Sequence, residues 1–192
     1  MTIPTQFRVA LPPWLAAALP SLPASLPSPT ERIALVNALA DRNWREGNGG
    51  PFAAAVVERE TGELVAVGVN VVLQEGLSSV HAEVVALSLA QVAVGGWDLA
   101  DGRDLELVVN WRPCAMCFGA TIWSGVRSLR IAGSGPECEA LTGFDEGPLT
   151  EQWRAELEAR GIAVADGPGR DEAITVFAAY GASAAVVYNA AR

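Results

Sequence analysis

This chain contains one histidine and one C-x-x-C pair, and each falls where a helix is expected to begin. His81 stands at the head of an apolar run from about Val80 to Val94, preceded by Ser78-Ser79 and closed by Gly95-Gly96. Cys114 and Cys117 follow Pro113 in a segment predicted to be helical to about Trp123. Pro113 suits the first helical position, where its missing N–H is not needed. Two cysteines three residues apart on one turn can present both sulfurs on one side. At a helix N-terminus, the positive end of the dipole and a metal ion both favour the thiolate. One imidazole and two thiolates make three ligands, which leaves a tetrahedral zinc its fourth position open for water. Glu83, two residues after the histidine, is then near enough to take the water's proton and pass it on, as a shuttle rather than a ligand. Each feature alone has a plainer reading. A C-x-x-C is often a structural zinc knuckle or a redox pair, and a lone His before an apolar run is usually a cap or core residue. The conjunction favours a catalytic zinc. Cys138 is then a free thiol, since a fourth protein ligand would close the site.

The surrounding pattern is that of an α/β domain. Ser28-Pro29-Thr30-Glu31 looks like a helix start, followed by Ile33, Leu35, Val36, Leu39 and Ala40 at helical spacing up to Trp44. Phe52–Glu58 and Leu64–Val72 read as strands of a hairpin turning at Glu60-Thr61-Gly62-Glu63. Further strands are expected at Leu105–Asn110, Val126–Ala132 and Ile162–Ala165, and further helices at Glu151–Arg160 and Asp171–Tyr180. Alternating helices and strands predict a three-layer α/β/α domain, and the hairpin makes its central sheet mixed. Residues 1–29, with prolines at 4, 12, 13, 20, 23, 27 and 29, read as an extended arm over a domain of residues 30–180. Residues 181–192 form a tail.

Charge and composition narrow the partners. The chain has 192 residues and a formal net charge of −9; its thirteen basic residues are all arginine. So acidic a chain is a poor match for a phosphate backbone, so nucleic acid is not expected as a partner. No apolar run reaches the roughly 18 residues needed to span a bilayer, so no membrane is expected either. The stretch Leu11–Leu26 superficially looks like a signal sequence, but prolines break it and only Arg8 precedes it. With three cysteines and no disulfide framework in prospect, a reducing cytoplasm is the expected setting and a cleaved signal the alternative.

At these motifs the chain resembles the cytidine deaminase superfamily, and within it the bacterial guanine deaminases. The resemblance runs from about Glu31 to the C-terminus. It is carried by Gly49-Gly50-Pro51-Phe52, Gly68-Val69-Asn70, His81-Ala82-Glu83-Val84, Pro113-Cys114-Ala115-Met116-Cys117-Phe118-Gly119-Ala120, Trp123-Ser124-Gly125-Val126, Gly143-Phe144-Asp145-Glu146 and Tyr188-Asn189-Ala190. The H-x-E and P-C-x-x-C pair is the signature of zinc deaminases, in which the glutamate is a general acid/base and not a ligand. The Gly-Phe-Asp segment separates guanine deaminases from tRNA adenosine deaminases, which share the zinc motifs. The resemblance implies a cytidine-deaminase-like fold, a small nucleobase-like substrate, a homodimer, and zinc held by His81, Cys114 and Cys117. It further implies that Glu83 moves protons, that Asn70 hydrogen-bonds the purine and that the Ala82 N–H meets a ring carbonyl. Phe52 would pack on the base, with Phe144 beside it. Glu146, or failing it Asp145, would bind the base edge or relay a proton to the leaving amine. The tail with Tyr188 would help to close the site.

The chain departs from the family just before the Pro-Cys pair, where Asn110-Trp111-Arg112 stands in place of a small residue and an acid. Either Arg112 is compensated on the surface, for instance by Glu106 or Asp104, or Trp111 and Arg112 reshape the pocket. A reshaped pocket would suit another amino-heterocycle such as an aminotriazine, a modified purine, a guanosine-like nucleoside or a pterin. Two other readings compete. A tRNA adenosine deaminase fits poorly with the net charge and with the Gly-Phe-Asp-Glu segment. A zinc-stabilised binding module has no need of Glu83.

Overall fold

A computed structural model of the chain describes residues 2–189. Its proline-rich start is not wholly the extended arm expected from the sequence. Pro13 opens a short helix α1 (Pro13–Ala18), followed by a 3₁₀ turn at Leu19–Ser21. Proline costs a helix no hydrogen bond at its first position, and Trp-Leu-Ala-Ala-Ala continues it readily. The turn carries Leu15 fully into the core. Helix α2 (Pro29–Arg45) begins where Ser28-Pro29-Thr30-Glu31 places it. The Ser28 hydroxyl accepts the Glu31 N–H at 3.2 Å and the Glu31 carboxylate accepts the Ser28 N–H at 2.9 Å, a reciprocal cap.

The expected hairpin follows as β1 (Ala53–Glu58) and β2 (Leu64–Val69). The second strand stops short of Val72, because Asn70 folds its side-chain oxygen onto the Val72 N–H at 3.2 Å and a single turn, α3 (Val72–Glu75), takes over. The remaining order is α4 (Ala82–Val94), β3 (Leu105–Val109), α5 (Ala115–Ser124), β4 (Ser128–Ile131), α6 (Glu137–Thr142), α7 (Trp153–Glu158), β5 (Ala163–Asp166) and α8 (Arg170–Gly181). The five-stranded sheet has the order β2-β1-β3-β4-β5. Its β2-β1 and β1-β3 pairs are antiparallel, and its β3-β4 and β4-β5 pairs are parallel, so the sheet is mixed.

The layers follow from side-chain alternation. Along β1, Ala53, Ala55 and Val57 join the core that holds Ile33, Val36 and Ala40 of α2 and Phe177 of α8. Ala54 and Val56 join the opposite core, with Ala82, Ala86 and Leu87 of α4 and with Trp153 and Leu157 of α7. Gly68 sets how closely the second layer sits. A Cβ there would lie 2.4 Å from the Ala82 carbonyl oxygen and 2.5 Å from the Ala86 nitrogen, so only glycine lets α4 settle on β2. The arm covers the outer edge of β2, with the Leu64 N–H donating to Ala24 at 3.0 Å and the Leu26 N–H to Gly62 at 2.7 Å.

Glu106, fully buried on β3, pins the layers together. Its carboxylate meets Arg32 of α2 and Arg130 of β4, each at 2.8 Å, and accepts the Ser128 hydroxyl at 3.0 Å. Arg32 also donates to the carbonyls of Leu26 and Arg59. The expected partnering of Arg112 with Glu106 or Asp104 is therefore not found, and Asp104 pairs instead with Arg59 at 3.2 Å. Asp104 and Glu106 lie at the start of β3, and Arg112 lies three residues beyond its other end at Val109.

Burial opposes ionisation of Glu106, but the Arg130 and Arg32 guanidinium groups outweigh it and hold the carboxyl below its usual range. Replacing Glu106 by Gln leaves Arg32 buried without its counter-charge, and should cost about 3–5 kcal/mol in denaturant unfolding at pH 7. A carboxyl whose folded-state pKa is depressed stabilises fully above its unfolded value of about 4.3. The advantage of the native chain over Glu106→Gln should thus be complete at neutral pH and shrink as pH falls below that value.

Candidate active site

The antiparallel hairpin and the parallel β3-α5-β4 unit bring two helix starts to one end of the sheet. His81 caps α4 and Cys114 caps α5, both with extended backbone. Pro113 therefore stands one residue before the cap rather than at the first helical position. The Cys114 sulfur takes the capping role, accepting the Cys117 N–H at 3.5 Å. The Nδ1 of His81 and the sulfurs of Cys114 and Cys117 lie within 4.8 Å of one another, with His81 Nδ1 3.6 Å from Cys114 Sγ. A tetrahedral zinc with bonds of about 2.0 Å to nitrogen and 2.3 Å to sulfur requires an N···S separation of roughly 3.5 Å, so the donors are placed to hold the ion.

The charge pattern agrees with that fit. Hydrogen bonding from Cys117, ahead of the effects of His81, pulls the Cys114 thiol down to about 4. Its partner Cys117 is pushed up by the same bond and by burial. Burial disfavours protonation of His81, yet the bond to Cys114 and the neighbouring acidic groups raise its pKa overall. Glu83, 9% exposed in the first turn of α4, is raised by burial and then by the charge on Cys114. Glu146 is pushed to about 8 by burial, with Cys114 and Glu83 adding to it. A buried cluster with several acidic groups and a single imidazole is short of positive charge, which a divalent cation supplies.

Two hollows lie beside His81 of the donor set and share Phe52, His81 and Glu146. The inner one is small and reaches Glu83, Asn110, Trp111 and Arg112. The outer one, about 230 Å³, is lined among others by Asn70, Ser78, Phe144, Asp145 and Tyr188. Drug-sized ligands occupy roughly 300–1,000 Å³, so this volume suits a smaller, flat molecule. Its walls are aromatic: the Phe144 ring lies 5.6 Å from Phe52 and 4.8 Å from Tyr188. Asn70, 1% exposed, spends its oxygen on the Val72 N–H and leaves its Nδ2 donor without a partner. Ala82 is the first residue of α4, where a backbone N–H has no acceptor within the helix.

Of the two acidic candidates, Glu146 is half-buried and lines both hollows, and its carbonyl holds the Ala115 N–H at the start of α5 at 2.9 Å. Asp145 is exposed, and one of its carboxylate oxygens accepts the Gly147 N–H at 2.9 Å. The tail reaches the outer hollow of its own chain. The Tyr188 hydroxyl accepts the Gly50 N–H at 3.0 Å, and Asn189 bonds Gly143 and Asp145 at 2.9 and 3.0 Å. Ala190, named with this tail, lies outside the described residues. Trp111 is not a pocket side chain alone. It is buried, edge-on to Phe177 at 5.2 Å, with its N–H towards the Gly135 carbonyl. Arg112 has no hydrogen bond or ion pair from its guanidinium among the described residues.

Sequence reasoning missed two buried asparagines that frame the pocket. Asn43 donates to the carbonyls of Gly50 and Asn70 at 3.1 and 2.7 Å. Asn110 receives the Ala53 N–H and donates to Pro51, both at 3.0 Å, locking Phe52 between them. The available signal was a polar residue on an apolar face: Asn43 continues the stripe of Val36, Leu39 and Ala40, and Asn110 ends a wholly apolar strand tip.

Residues 30–132 match the cytidine and deoxycytidylate deaminase zinc-binding region. The chain is 32% identical over 124 residues to guanine deaminase of Bacillus subtilis, covering 65% of this chain and 76% of that protein. It is 31% identical over 142 residues to a tRNA(Ile)-lysidine synthase of Deinococcus radiodurans, covering 74% of this chain but only 23% of that protein. Among solved structures, guanine deaminase from Nitrosomonas europaea is 45% identical with a TM-score of 0.87, over 95% of this chain and all (100%) of the other. NE0047 in complex with 2,6-diaminopurine is 47% identical with a TM-score of 0.87, over 95% and 96%. The chain belongs to the family of the cytidine and deoxycytidylate deaminase zinc-binding region.

Proposed function

We propose that this chain is a zinc-dependent aminohydrolase that converts guanine and water to xanthine and ammonia. The observation that carries the reading is the buried Glu83 close to a three-donor metal set whose His81 also lines the aromatic outer hollow. The guanine deaminases of two bacteria among its relatives support the choice of base. Bound by His81, Cys114 and Cys117, zinc supplies a water activated near neutral pH. Glu83 takes that water's proton and returns it to the ring nitrogen beside the carbon bearing the amine, then assists departure of the amine as ammonia. A raised pKa suits a group that must both accept and give a proton near pH 7.

The other residues bind and orient. Phe52 and Phe144 pack on the base, the Ala82 N–H meets a ring carbonyl, and the free Asn70 Nδ2 donates to a purine acceptor. Glu146 faces the base edge, where guanine's N–H donors need acceptors in a dry pocket. Asp145 shapes the loop that Tyr188 and Asn189 close. Arg112 offers an unpaired cation beside Glu146 and favours an acceptor-rich edge of the substrate, while Trp111 stiffens the wall it grows from. An active dimer would cover the exposed Val92 of α4, Trp97 behind it and Trp123 of α5, and sedimentation of the full chain reads its mass. The odd, sparse set of three cysteines suits a reducing cytoplasm.

Ammonia release from guanine, guanosine, ammeline, cytosine, cytidine and adenine tests the reading directly. Guanine should be the preferred substrate, and Glu83→Gln should keep zinc and fold while losing at least about a thousandfold in kcat, at the scale of a lost acid/base group. Full activity in that variant would sink the mechanism. Cys114→Ala should lose stoichiometric zinc by elemental analysis, and tight zinc retained there would overturn the ligand set. Arg112→Gln should raise KM for guanine roughly tenfold with little change in kcat if the cation contributes to binding alone. A KM equal to that of the native chain would return Arg112 to the surface.

A further inference from the structure

We infer that the N-terminal arm is a positioning element for the substrate pocket, acting through a Trp14–Asn48 hydrogen bond that holds the Gly49-Gly50 turn against Asn70 and Tyr188. The inference rests on the outer hollow being the substrate site. It concerns residues 2–28, which precede the segment matching the deaminase family.

The arm is anchored in the first turn of α1. Leu15 is fully buried in the core, and the Arg42 guanidinium lies over the Trp14 indole at 4.5 Å from its centre. The indole N–H donates to Asn48 Oδ1 at 2.9 Å. On its other side Asn48 donates from Nδ2 to Gln74 Oε1 at 3.0 Å, and its carbonyl accepts the Gln74 N–H at 2.9 Å. Gln74 in turn donates to the Ala10 carbonyl at 3.2 Å, so the arm grips α3 as well as the turn. Asn48 is thus clamped between α1 and α3 by side-chain and backbone bonds.

The clamped residue leads directly into the pocket. A Cβ on Gly49 would lie 2.3 Å from Asn70 Oδ1, so the turn packs against the side chain whose Nδ2 is free for substrate. Gly50 donates its N–H to the Tyr188 hydroxyl, and its carbonyl shares the Asn43 amide with the carbonyl of Asn70. A shift of the turn therefore moves the purine donor and the tail together. No atom of Trp14 lines the hollow, so its part is positioning and not chemistry.

The test uses the full, zinc-loaded chain and Trp14→Phe, which keeps an aromatic ring under Arg42 and removes only the N–H donor. Loss of one partly buried hydrogen bond should speed amide exchange across residues 48–52, read at the N–H groups of Asn48, Gly49, Gly50 and Phe52, about three- to tenfold, with exchange in β3 and β4 unchanged. KM for guanine should rise by a similar factor while kcat changes less than about twofold. Asn48→Ala removes the same bond from the other side, together with the one to Gln74, and repeats the test on the whole clamp should Trp14→Phe not fold. Unchanged exchange at 48–52 overturns the coupling whether or not guanine is the substrate. Faster exchange with an unchanged KM makes the clamp structural and overturns the positioning role. A native chain that releases no ammonia from guanine defeats the functional reading instead, and the exchange data then decide the clamp alone.

Discussion

The close seating of α4 on β2 is the contact on which the rest of this molecule depends. With no side chain at Gly68, the helix backbone meets the strand backbone, and the first turn of α4 lies where the sheet ends. That turn carries His81, Ala82 and Glu83. A methyl group at position 68 would meet the Ala82 carbonyl oxygen at 2.4 Å and the Ala86 nitrogen at 2.5 Å, so α4 would have to move off the sheet and carry the imidazole with it. The small residues of β1, Ala53, Ala54 and Ala55, serve the same end, because they let helices approach the sheet from both faces. Close packing in an interior this dense leaves little room for α4 to drift, so the donor geometry is inherited from the core.

Electrostatics then divides the buried acidic groups by role. Glu106 is surrounded by guanidinium groups and a hydroxyl, ionised, and structural. Buried Glu83 and half-buried Glu146 have too little positive charge around them and are held towards the protonated form. The first pattern binds elements together, and the second leaves groups ready to exchange protons. The same contrast separates the thiols: Cys114, bonded by Cys117 and His81, is poised as a thiolate, whereas Cys138 is pushed up by burial and lies away from the donor set.

Much of this was legible in the residues because it is local. Helix starts at His81 and Cys114 announce themselves through flanking serines, a proline and the apolar runs behind them, and the hairpin through alternation and a Gly-containing turn. Boundaries were less so. The strand expected to reach Val72 stops at Val69 because one asparagine side chain competes for a backbone N–H, and α1 forms inside a proline-rich stretch because Leu15 finds a place in the core. Short helices such as α3 and α6 carry too few residues for a periodic signal. Arg112 was given two acidic partners that are near in sequence, yet an extended strand carries them far apart.

By itself the sequence determined the chemistry available: one imidazole, two thiolates three residues apart, a carboxyl beside the histidine, and the α/β alternation that frames them. These depend on side-chain type and on periodicity within a few residues. Only the tertiary structure decided which groups share a pocket. It set Asn43 and Asn110 as the buried braces of the Phe52 loop, brought Glu146 into both hollows and Asp145 into the outer one alone, and laid Tyr188 against Gly50. Such pairings join residues far apart along the chain. They follow from how the layers pack, where the lack of a side chain at Gly68 or Gly49 matters more than any local propensity.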